Sequence, residues 1–365
     1  MKEELICRLA LTMIPELGPV KARLLIEHFG DAAAIFSAKK KELSCLEGIG
    51  ELCAKRLKEW DHFHEAEEEI VFAEKHQLQI LFITDKDYPQ RLLHCYDPPT
   101  VLFYRGNAPL NHNRIISVIG TRNHTDYGRQ VTEQLITALA SQHILVVSGL
   151  AFGIDAIAHK ASLQHQIPTV GVLAHGMDTI YPSQHKSLAK EMLQQGGLLT
   201  EFRKNTKPDK HNFPKRNRIV AGMADATIVV ETAVKGGSMI TAELAYNYNR
   251  DLFAVPGKIT DSKSSGCLKL IRQNKATLLT DAEQLIETMG WEEKKKIIKK
   301  QKELFIELSV DERIIVNLLK ETEATPVDVL YVKSGLSSST VAAVILNLEL
   351  QNVICSLPGK MYRLL

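Results

Sequence analysis

Residues 146–160 read VVSGLAFGIDAIAHK, a hydrophobic run that crosses a loop of small residues into a helix-like segment. The run ends at Ser148-Gly149, and Gly153 precedes the first helix-like positions. A glycine loop between a strand and a helix is typical of phosphate sites, because backbone N–H groups and the helix dipole meet there without an intervening side chain. The spacing G-x-G-x-x-G and the Walker pattern are both absent. The stretch therefore indicates a strand–loop–helix unit with a candidate anion site that fits neither nucleotide fingerprint.

Apolar runs rich in β-branched residues recur along the middle of the chain, with helix-like segments between them. They lie at 115–119, 143–148, 167–173, 226–231 and 251–255. Short, continuously apolar strands that alternate with helices are typical of a parallel sheet covered on both faces. The pattern predicts a Rossmann-like α/β domain, whose ligands bind at the carboxyl ends of the strands.

Three polar loops directly follow predicted strands. They are Gly120-Thr121-Arg122, the loop from Ser148-Gly149 to Asp155, and Lys235-Gly236-Gly237-Ser238. In a parallel sheet all three lie at the carboxyl edge and can converge. One glycine loop alone often has a purely steric reason, but three loops with an arginine favour an anion site.

The segment 201–220, EFRKNTKPDKHNFPKRNRIV, holds seven Lys or Arg residues against two acids, with Phe213 in the middle. Bases stack on exposed aromatic rings while flanking cations neutralise phosphates. A mononucleotide needs no such length of basic surface, so the segment favours a nucleic-acid strand. Arg216 and Arg218 have a second interpretation, in which they brace the loop through backbone carbonyls.

The sequence predicts a small domain at each end of the chain. Residues 1–80 have helical periodicity, and the hairpins Leu17-Gly18-Pro19-Val20 and Gly48-Ile49-Gly50 resemble tandem helix-hairpin-helix motifs or the tight turns of a plain helical bundle. The tail has three helix-sized segments and a hairpin with a Pro-Gly turn, which predicts a winged helix. Its third helix lacks Lys and Arg, so DNA binding, protein binding and packing all stay open. We expect four segments: a helical domain at 1–80, an α/β domain at 81–290 that begins with a bridge at 81–112, a charged linker at 291–308 and a winged helix at 309–365.

Composition places the chain among ordinary globular proteins. It has 365 residues, a formal net charge of +2 and 45% hydrophobic residues. The six cysteines form no C-x-x-C pair, which is typical of free thiols in a reducing compartment. We read neither a signal peptide nor an apolar run approaching the roughly 18 residues of a membrane span. We therefore expect a cytoplasmic protein without a membrane partner.

No catalytic constellation stands out. The thirteen histidines form no H-x-x-x-H or H-E-x-x-H pair, and Ser148 and Ser238 lack the G-x-S-x-G elbow. Asp155 and Glu231 are expected to cap a helix and to end a strand. We therefore predict no catalytic residue, no metal ligand, no cofactor and no enzymatic activity.

Six motifs in order resemble the DprA (Smf) family of DNA-processing proteins. They are VIGTR at 118–122, SGLAFGIDAIAH at 148–159, the YP of DTIYP at 178–182, FPKRNRIVAG at 213–222, GGSMITAELA at 236–245 and FAVPG at 253–257. The resemblance covers the whole α/β domain, and the predicted flanking domains agree with it. The third loop reads KGGS rather than the more usual S/R-S/G-G-S/A, a mild departure.

The resemblance implies a single-stranded DNA-binding protein of natural transformation. Such a protein protects incoming strands, forms homodimers through the Rossmann-like domain and loads the RecA recombinase. It also implies that Arg122, Lys210 and Phe213 form the DNA pocket beside the glycine loops. With the basic segment, the expected DNA-binding set is Arg122, Ser148, Gly149, Lys210, Phe213, Arg216, Asn217, Arg218, Gly236, Gly237 and Ser238.

Two alternatives remain in view. Phosphoribohydrolases with a related fold carry P-G-G-x-G-T-x-x-E with a catalytic glutamate, and Glu243 of KGGSMITAE falls close to that position. The Pro and the third Gly are missing, and that chemistry has no use for the basic strip around Phe213. The other alternative, a winged-helix regulator of duplex DNA, is opposed by the uncharged third helix.

Overall fold

The structure, a computed structural model, describes residues 2–292, 308–320, 322, 324–351, 353–357 and 360–364. The chain divides into two compact units, Met1–Glu292 and Glu293–Leu365. Most of the predicted linker, at 293–307, lies outside the described residues, as do Pro358 and Gly359 of the predicted hairpin turn.

The first unit begins with a helical region. Helix α2 starts at Pro19, where the missing proline N–H has no intrahelical partner to lose, and it ends at Gly30 with a φ of 87°. Gly48 and Gly50, with φ of 89° and 69°, flank Ile49, the N-cap of α5. Both predicted glycine hairpins therefore run directly into the first residues of a helix. The helices are α1 (Lys2–Met13), α2 (Pro19–Phe29), α3 (Ala32–Ser37), α4 (Lys40–Ser44), α5 (Gly50–Glu59) and α6 (Phe63–Lys75).

The α/β region follows as alternating strands and helices. Its strands are β1 (Gln79–Phe82), β2 (Val101–Gly106), β3 (Ile115–Ile119), β4 (Leu145–Gly149), β5 (Thr169–Val172), β6 (Gly197–Thr200), β7 (Ala226–Val229), β8 (Asp251–Ala254) and β9 (Thr277–Leu278). Its helices are α7 (Gln90–Leu93), α8 (Asp126–Ala138), α9 (Ile154–Gln164), α10 (Lys186–Gln195), α11 (Asn212–Met223), α12 (Gly237–Asn247), α13 (Ser265–Arg272) and α14 (Ala282–Thr288).

The strands form one sheet in the order β1-β2-β6-β5-β4-β3-β7-β8-β9. Strands from β6 to β9 in this order pair in parallel, and β1 and β2 extend the sheet antiparallel at one edge. The chain steps outward from β3 to β6 and then returns to the other side of β3 with β7. Such a reversal opens a crevice at the carboxyl ends of the strands, and it makes the predicted Rossmann-like fold a doubly wound sheet.

Strand β3 shows why the predicted runs are continuously apolar. Its Ile115 and Ile119 join one hydrophobic core, while Ile116 and Val118 join the other. Successive strand residues point to opposite faces, so a sheet buried on both faces favours apolar residues throughout, and the buried Ser117 of β3 is hydrogen bonded to Thr227 at 2.7 Å. The predicted strands at β3, β4, β5, β7 and β8 are thereby confirmed.

Strand β6 was not predicted from the sequence. It holds four residues, Gly197–Thr200, directly after helix α10. The Leu198-Leu199 pair continues the apolar spacing of that helix, and four residues are too few to separate the two periodicities. Pairing with β5 and β2 therefore decides its conformation.

The second unit is a helical domain with a small sheet. Its elements are α15 (Val310–Leu319), β10 (Thr325–Pro326), α16 (Val327–Ser334), α17 (Ser338–Leu350), β11 (Ile354–Leu357) and β12 (Met361–Leu364). The three strands pair antiparallel in the order β10-β12-β11. A capping box between Ser309 and Glu312 starts α15. Three helices with a β-hairpin confirm the predicted winged helix.

No single helix among the described residues is long and apolar enough to cross a membrane. Helices α16 and α17 reach the required length and hydropathy only as a pair, with a bend of 120° between them. Leu330, Val341 and Leu348 of this pair are fully buried in the core of the second unit, which accounts for their apolar character.

Asp225 joins the bridge before β3 to the sheet. Its carboxylate accepts hydrogen bonds from Nε of Arg91 at 2.7 Å and from the second guanidinium nitrogen at 2.8 Å. It also accepts one from the backbone N–H of Ile115, at 2.8 Å. The bidentate ion pair and the bond to a strand N–H hold the bridge in position.

We expect Asp225→Ala to lower the free energy of unfolding by about 2 kcal/mol, because it leaves a half-buried guanidinium and a buried N–H without their acceptor. Urea unfolding followed by circular dichroism measures this. Glu59→Ala is the control, since Glu59 forms an exposed pair with Lys55 at 3.7 Å and such pairs contribute about 0–1 kcal/mol. Equal stability of the two variants would contradict the role of Asp225.

Candidate nucleic-acid interface

The three polar loops meet at the carboxyl edge of the sheet, as the sequence predicts. The backbone N–H of Thr121 donates to the carbonyl of Glu231 at 2.7 Å, and that of Ile154 donates to the carbonyl of Thr121 at 3.2 Å. Gly153, with a φ of 82°, lies so close that a Cβ there would be 2.6 Å from the Arg122 carbonyl oxygen. The loops after β3, β4 and β7 therefore form one continuous surface.

This surface is the floor of a groove of about 730 Å³. Its lining brings together most of the predicted set: Arg122, Gly149, Lys210, Phe213, Arg216, Asn217, Gly236, Gly237 and Ser238. Ser148 and Arg218 are not part of the lining. The strand-end loops and helix α11 thus converge on a single site.

Helix α11 brings one face to the groove. Phe213, Asn217 and Val220 are spaced by four and three positions and all line it, as expected for neighbours on a helix surface. Lys210 lies just before the helix and is exposed. The basic segment therefore folds so that an aromatic ring, an amide and a lysine share one wall.

Arg122 and Phe213 contact each other across the groove. The Cζ atom of Arg122 lies 5.1 Å from the centroid of the Phe213 ring, within the range of a cation–π interaction. The ring of Tyr181 lies 6.3 Å from that of Phe213. A cation and two aromatic rings, which suit a phosphate and a base respectively, are therefore adjacent.

The first turn of α12 supplies backbone donors. Gly236 is its N-cap, and Gly237 and Ser238 begin the helix. The first N–H groups of a helix have no intrahelical acceptor, and with the dipole they favour anions. The Ser238 hydroxyl donates to Oγ1 of Thr232 at 2.7 Å, which holds this turn against the end of β7.

Arg216 both lines the groove and braces it. Its side chain is buried, and a terminal nitrogen donates to the carbonyl of Val172 at the end of β5. A Cβ at Gly149 would lie 2.6 Å from the Arg216 Cζ atom, so only glycine leaves room for the guanidinium. Burial lowers the pKa of Arg216 to about 10, an effect that the Asp155 carboxylate partly offsets. The second sequence interpretation, bracing through a carbonyl, therefore describes Arg216.

The structure does not bring Ser148 and Arg218, two members of the predicted set, into the lining of the groove. Ser148 is fully buried and its hydroxyl donates to the carbonyl of Val118 at 2.6 Å. Arg218 donates to the Asp97 carbonyl and to the Glu201 carboxylate. Five positions after Phe213, it lies about 140° around the helix, on the face that packs against the protein.

Helix α6 of the helical region holds the start of the basic segment. Glu69 is almost fully buried and accepts a bond from the Lys204 backbone N–H at 2.9 Å. Arg203 pairs with Glu65 at 3.1 Å and Lys204 with Glu68 at 3.0 Å. With Arg216 and Arg218 also engaged, the exposed cations of the segment are Lys207, Lys210 and Lys215.

The carboxylates near the sheet edge have structural partners. Glu231 is buried and accepts from the backbone N–H of Thr125, the N-cap of α8, at 2.9 Å. Asp155 lies in the first turn of α9 and lines the groove, and burial raises its pKa while Arg216 acts in the opposite direction. Glu243 pairs with Lys275 at 2.6 Å. Among the described residues, it is not one of those that line the groove.

Sequence reasoning missed Tyr181 as a groove residue. Tyr181 belongs to the DTIYP motif, but it precedes no predicted helix and follows no predicted strand. The motif marks Tyr181 as a candidate, but the sequence does not show where its ring lies. Only the folded loop between β5 and α10 brings the ring close to Phe213.

Family comparisons match each region of the chain. The family described as DNA recombination-mediator protein A matches residues 79–290, the DprA winged helix domain matches 304–360, and a SAM-like helix-hairpin-helix tandem matches 9–59. The chain is 35% identical to Protein Smf of Synechocystis sp. over 77% of this chain and 72% of the relative. It is 42% identical to DNA processing protein DprA of Bacillus subtilis over 57% of this chain and 70% of the relative.

Solved structures of DprA proteins are also similar to this chain. The X-ray structure of DprA from Streptococcus pneumoniae aligns with a TM-score of 0.67 and 30% identity, covering 77% of this chain and 95% of that one. A structure of DprA from Helicobacter pylori, described for its single-stranded DNA binding mode, aligns with a TM-score of 0.53 and 31% identity. It covers 58% of this chain and 95% of that one.

We expect Gly149→Ala to destabilise the protein by about 1–3 kcal/mol, because the new methyl group overlaps the buried guanidinium of Arg216. Urea unfolding measures the change. The matched control is Gly237→Ala, since a Cβ at Gly237 has no heavy atom within 4 Å. Unchanged stability in Gly149→Ala would show that Arg216 does not depend on this space.

Proposed function

Because this chain belongs to the DprA (Smf) family, we propose that it binds single-stranded DNA in the groove between the strand-end loops and helix α11. The main support is that the Arg122 Cζ atom lies 5.1 Å from the centroid of the Phe213 ring. The exposed Lys210 lines the same groove. The Helicobacter pylori relative, whose structure is described by its single-stranded DNA binding mode, supports the same ligand.

Each part of the groove has a task in this proposal. Arg122 and Lys210 neutralise backbone phosphates, and the first-turn amides at Gly237 and Ser238 hydrogen bond to a phosphate oxygen. Phe213 stacks on a base, which is tolerant of sequence because every base has a π face. Asn217 lies one turn along the same helix face and can hydrogen bond to a base edge or a sugar.

We propose binding rather than catalysis. The phosphoribohydrolase alternative needs a carboxylate from α12 at the ligand, but Glu243 is engaged by Lys275 at 2.6 Å. The residues of α12 that line the groove beyond its first turn are Ile240 and Thr241, neither of which is an acid or base at neutral pH.

We further propose that the protein forms homodimers through its α/β domain, protects incoming strands in the cytoplasm and loads the RecA recombinase onto them during natural transformation. The support is the family membership together with the DNA groove. In this role the open groove holds the strand by its phosphates and a few bases. A recombinase can therefore replace the protein progressively along the strand.

We expect Arg122→Glu and Lys210→Glu each to weaken single-stranded DNA binding at least tenfold. Each reversal removes a phosphate contact and flattens the dependence of log K on log salt by about 0.7. Phe213→Ala should weaken binding by about 1–3 kcal/mol without changing that slope, because stacking involves no counterion release. Fluorescence anisotropy of labelled single- and double-stranded oligonucleotides across a salt series measures both quantities.

The control is Lys190→Glu, which reverses an exposed charge on helix α10 that is not among the lining residues. It should bind like the wild type. Equal or better binding to duplex DNA, or indifference to Lys210→Glu, would contradict the groove assignment. Release of base from a nucleoside monophosphate, lost in Glu243→Ala, would instead establish the hydrolase.

We expect the wild-type protein to speed RecA assembly on strands already coated with a single-strand-binding protein. Lys210→Glu should lose this effect, because it cannot hold the strand, while Lys190→Glu keeps it. RecA filament formation followed by its DNA-dependent ATP hydrolysis gives the rate, and sedimentation equilibrium gives the dimer. A RecA rate that the wild type does not change would remove the loading step but leave the DNA groove standing.

A further inference from the structure

We propose that Tyr181 and Phe152 form a second stacking platform, on which the bound strand continues beyond Phe213. The proposal rests on single-stranded DNA binding in the main groove and extends it to neighbouring bases. A small side pocket adjoins the groove and is lined by both rings, and it shares Arg122, Phe213 and Arg216 with the groove.

Both rings are exposed and lie beside the basic groove. Tyr181 is 48% exposed and Phe152 is 43% exposed. Aromatic rings are large apolar surfaces that normally contribute to a core, whereas an open ring at the rim of a basic groove presents a face for a base. The two rings thus offer the open face that stacking requires, next to the half-buried Phe213.

Buried histidines hold the segments that carry these rings. The backbone N–H of Tyr181 donates to Nε2 of His175 at 3.2 Å. The Phe152 ring packs edge-on against the His185 ring, with centroids 4.9 Å apart, and Nδ1 of His185 lies 3.0 Å from the Leu150 carbonyl. These contacts fix the backbone at Tyr181 and one side of the Phe152 ring before a ligand arrives, which lowers the entropy cost of stacking.

The position of Arg122 links the two platforms. It lines the side pocket as well as the groove, and the Tyr181 ring lies 6.3 Å from that of Phe213. A strand that stacks one base on Phe213 therefore has Tyr181 beside the next base, with the Arg122 cation near the connecting phosphate. Phe152 lines the side pocket but not the groove, so we expect it to receive a further base.

Apart from its two arginines and His175, the side pocket is lined by apolar and aromatic residues. Its cations are Arg122 and Arg216, both shared with the groove, and its remaining described lining includes Leu150, Leu173 and Pro182. Contacts to this platform should therefore add affinity without adding phosphate neutralisation. This separates its contribution from that of Lys210 in a salt series.

The test uses the full chain and labelled oligo-dT of increasing length. Tyr181→Leu and Phe152→Leu keep apolar bulk but remove the aromatic face, and we expect each to weaken binding of long oligonucleotides about tenfold. Phe152→Leu should change affinity for the shortest oligonucleotide that the groove binds less than twofold, because Phe152 lines the side pocket but not the groove. The slope of log K against log salt should stay that of the wild type, and Tyr181→Phe should restore wild-type affinity.

Tyr96→Leu is the matched control. Tyr96 is 61% exposed and its ring lies 5.1 Å from that of Tyr248, but it lines neither the groove nor the side pocket. A second readout is the fluorescence of 2-aminopurine placed next to the base on Phe213. Its quenching on binding should be strong with the wild type and weak with Tyr181→Leu.

The outcomes separate this inference from the proposed function. If the wild type binds and Phe213→Ala weakens binding, but Tyr181→Leu and Phe152→Leu behave like Tyr96→Leu, the second platform is wrong and the groove stands. Quenching that is the same in Tyr181→Leu and wild type also overturns it. If the wild type does not bind single strands at all, the proposed function itself fails.

Discussion

The packing of the Arg216 guanidinium against Gly149, where there is no side chain, fixes one wall of the groove. An arginine is costly to bury unless its N–H groups find acceptors, and here the Val172 carbonyl at the end of β5 is one of them. Since Arg216 is an interior residue of α11, this contact sets the position of the helix over the ends of β4 and β5. Phe213 and Asn217 reach the groove as a consequence.

Cations of one short segment therefore have two different tasks. Arg216 and Arg218 are buried and hold carbonyl and carboxylate groups, while Lys210 is exposed beside Phe213. Removing a buried cation leaves its acceptors without a partner, whereas an exposed one is free to exchange water and counterions for a phosphate. The residues that brace the site and those that we propose to bind phosphate can thus vary independently within one segment.

The helical region contributes to the site without lining it. Glu65, Glu68 and Glu69 of α6 engage Arg203 and Lys204 at the start of the basic segment. These contacts direct the chain from the end of β6 toward Lys210. The helical region thereby limits the conformations of the basic segment. This structural role is separate from any binding by its glycine hairpins.

The amino-acid sequence by itself determined the strand–helix alternation, the doubly buried strands and the glycine loops, because these follow from local periodicity and backbone conformation. It also indicated the groove residues Arg122, Lys210 and Phe213. Tertiary structure decided the rest. Pairing with β5 and β2 made Gly197–Thr200 a strand. Packing turned Arg218 of α11 toward Asp97 and Glu201, and it buried Ser148 of β4 against the Val118 carbonyl of β3. The Tyr181 ring reached Phe213 only through the folded loop after β5. Residue type and spacing specify which groups a segment carries, but the direction in which each side chain faces depends on packing partners distant in the chain.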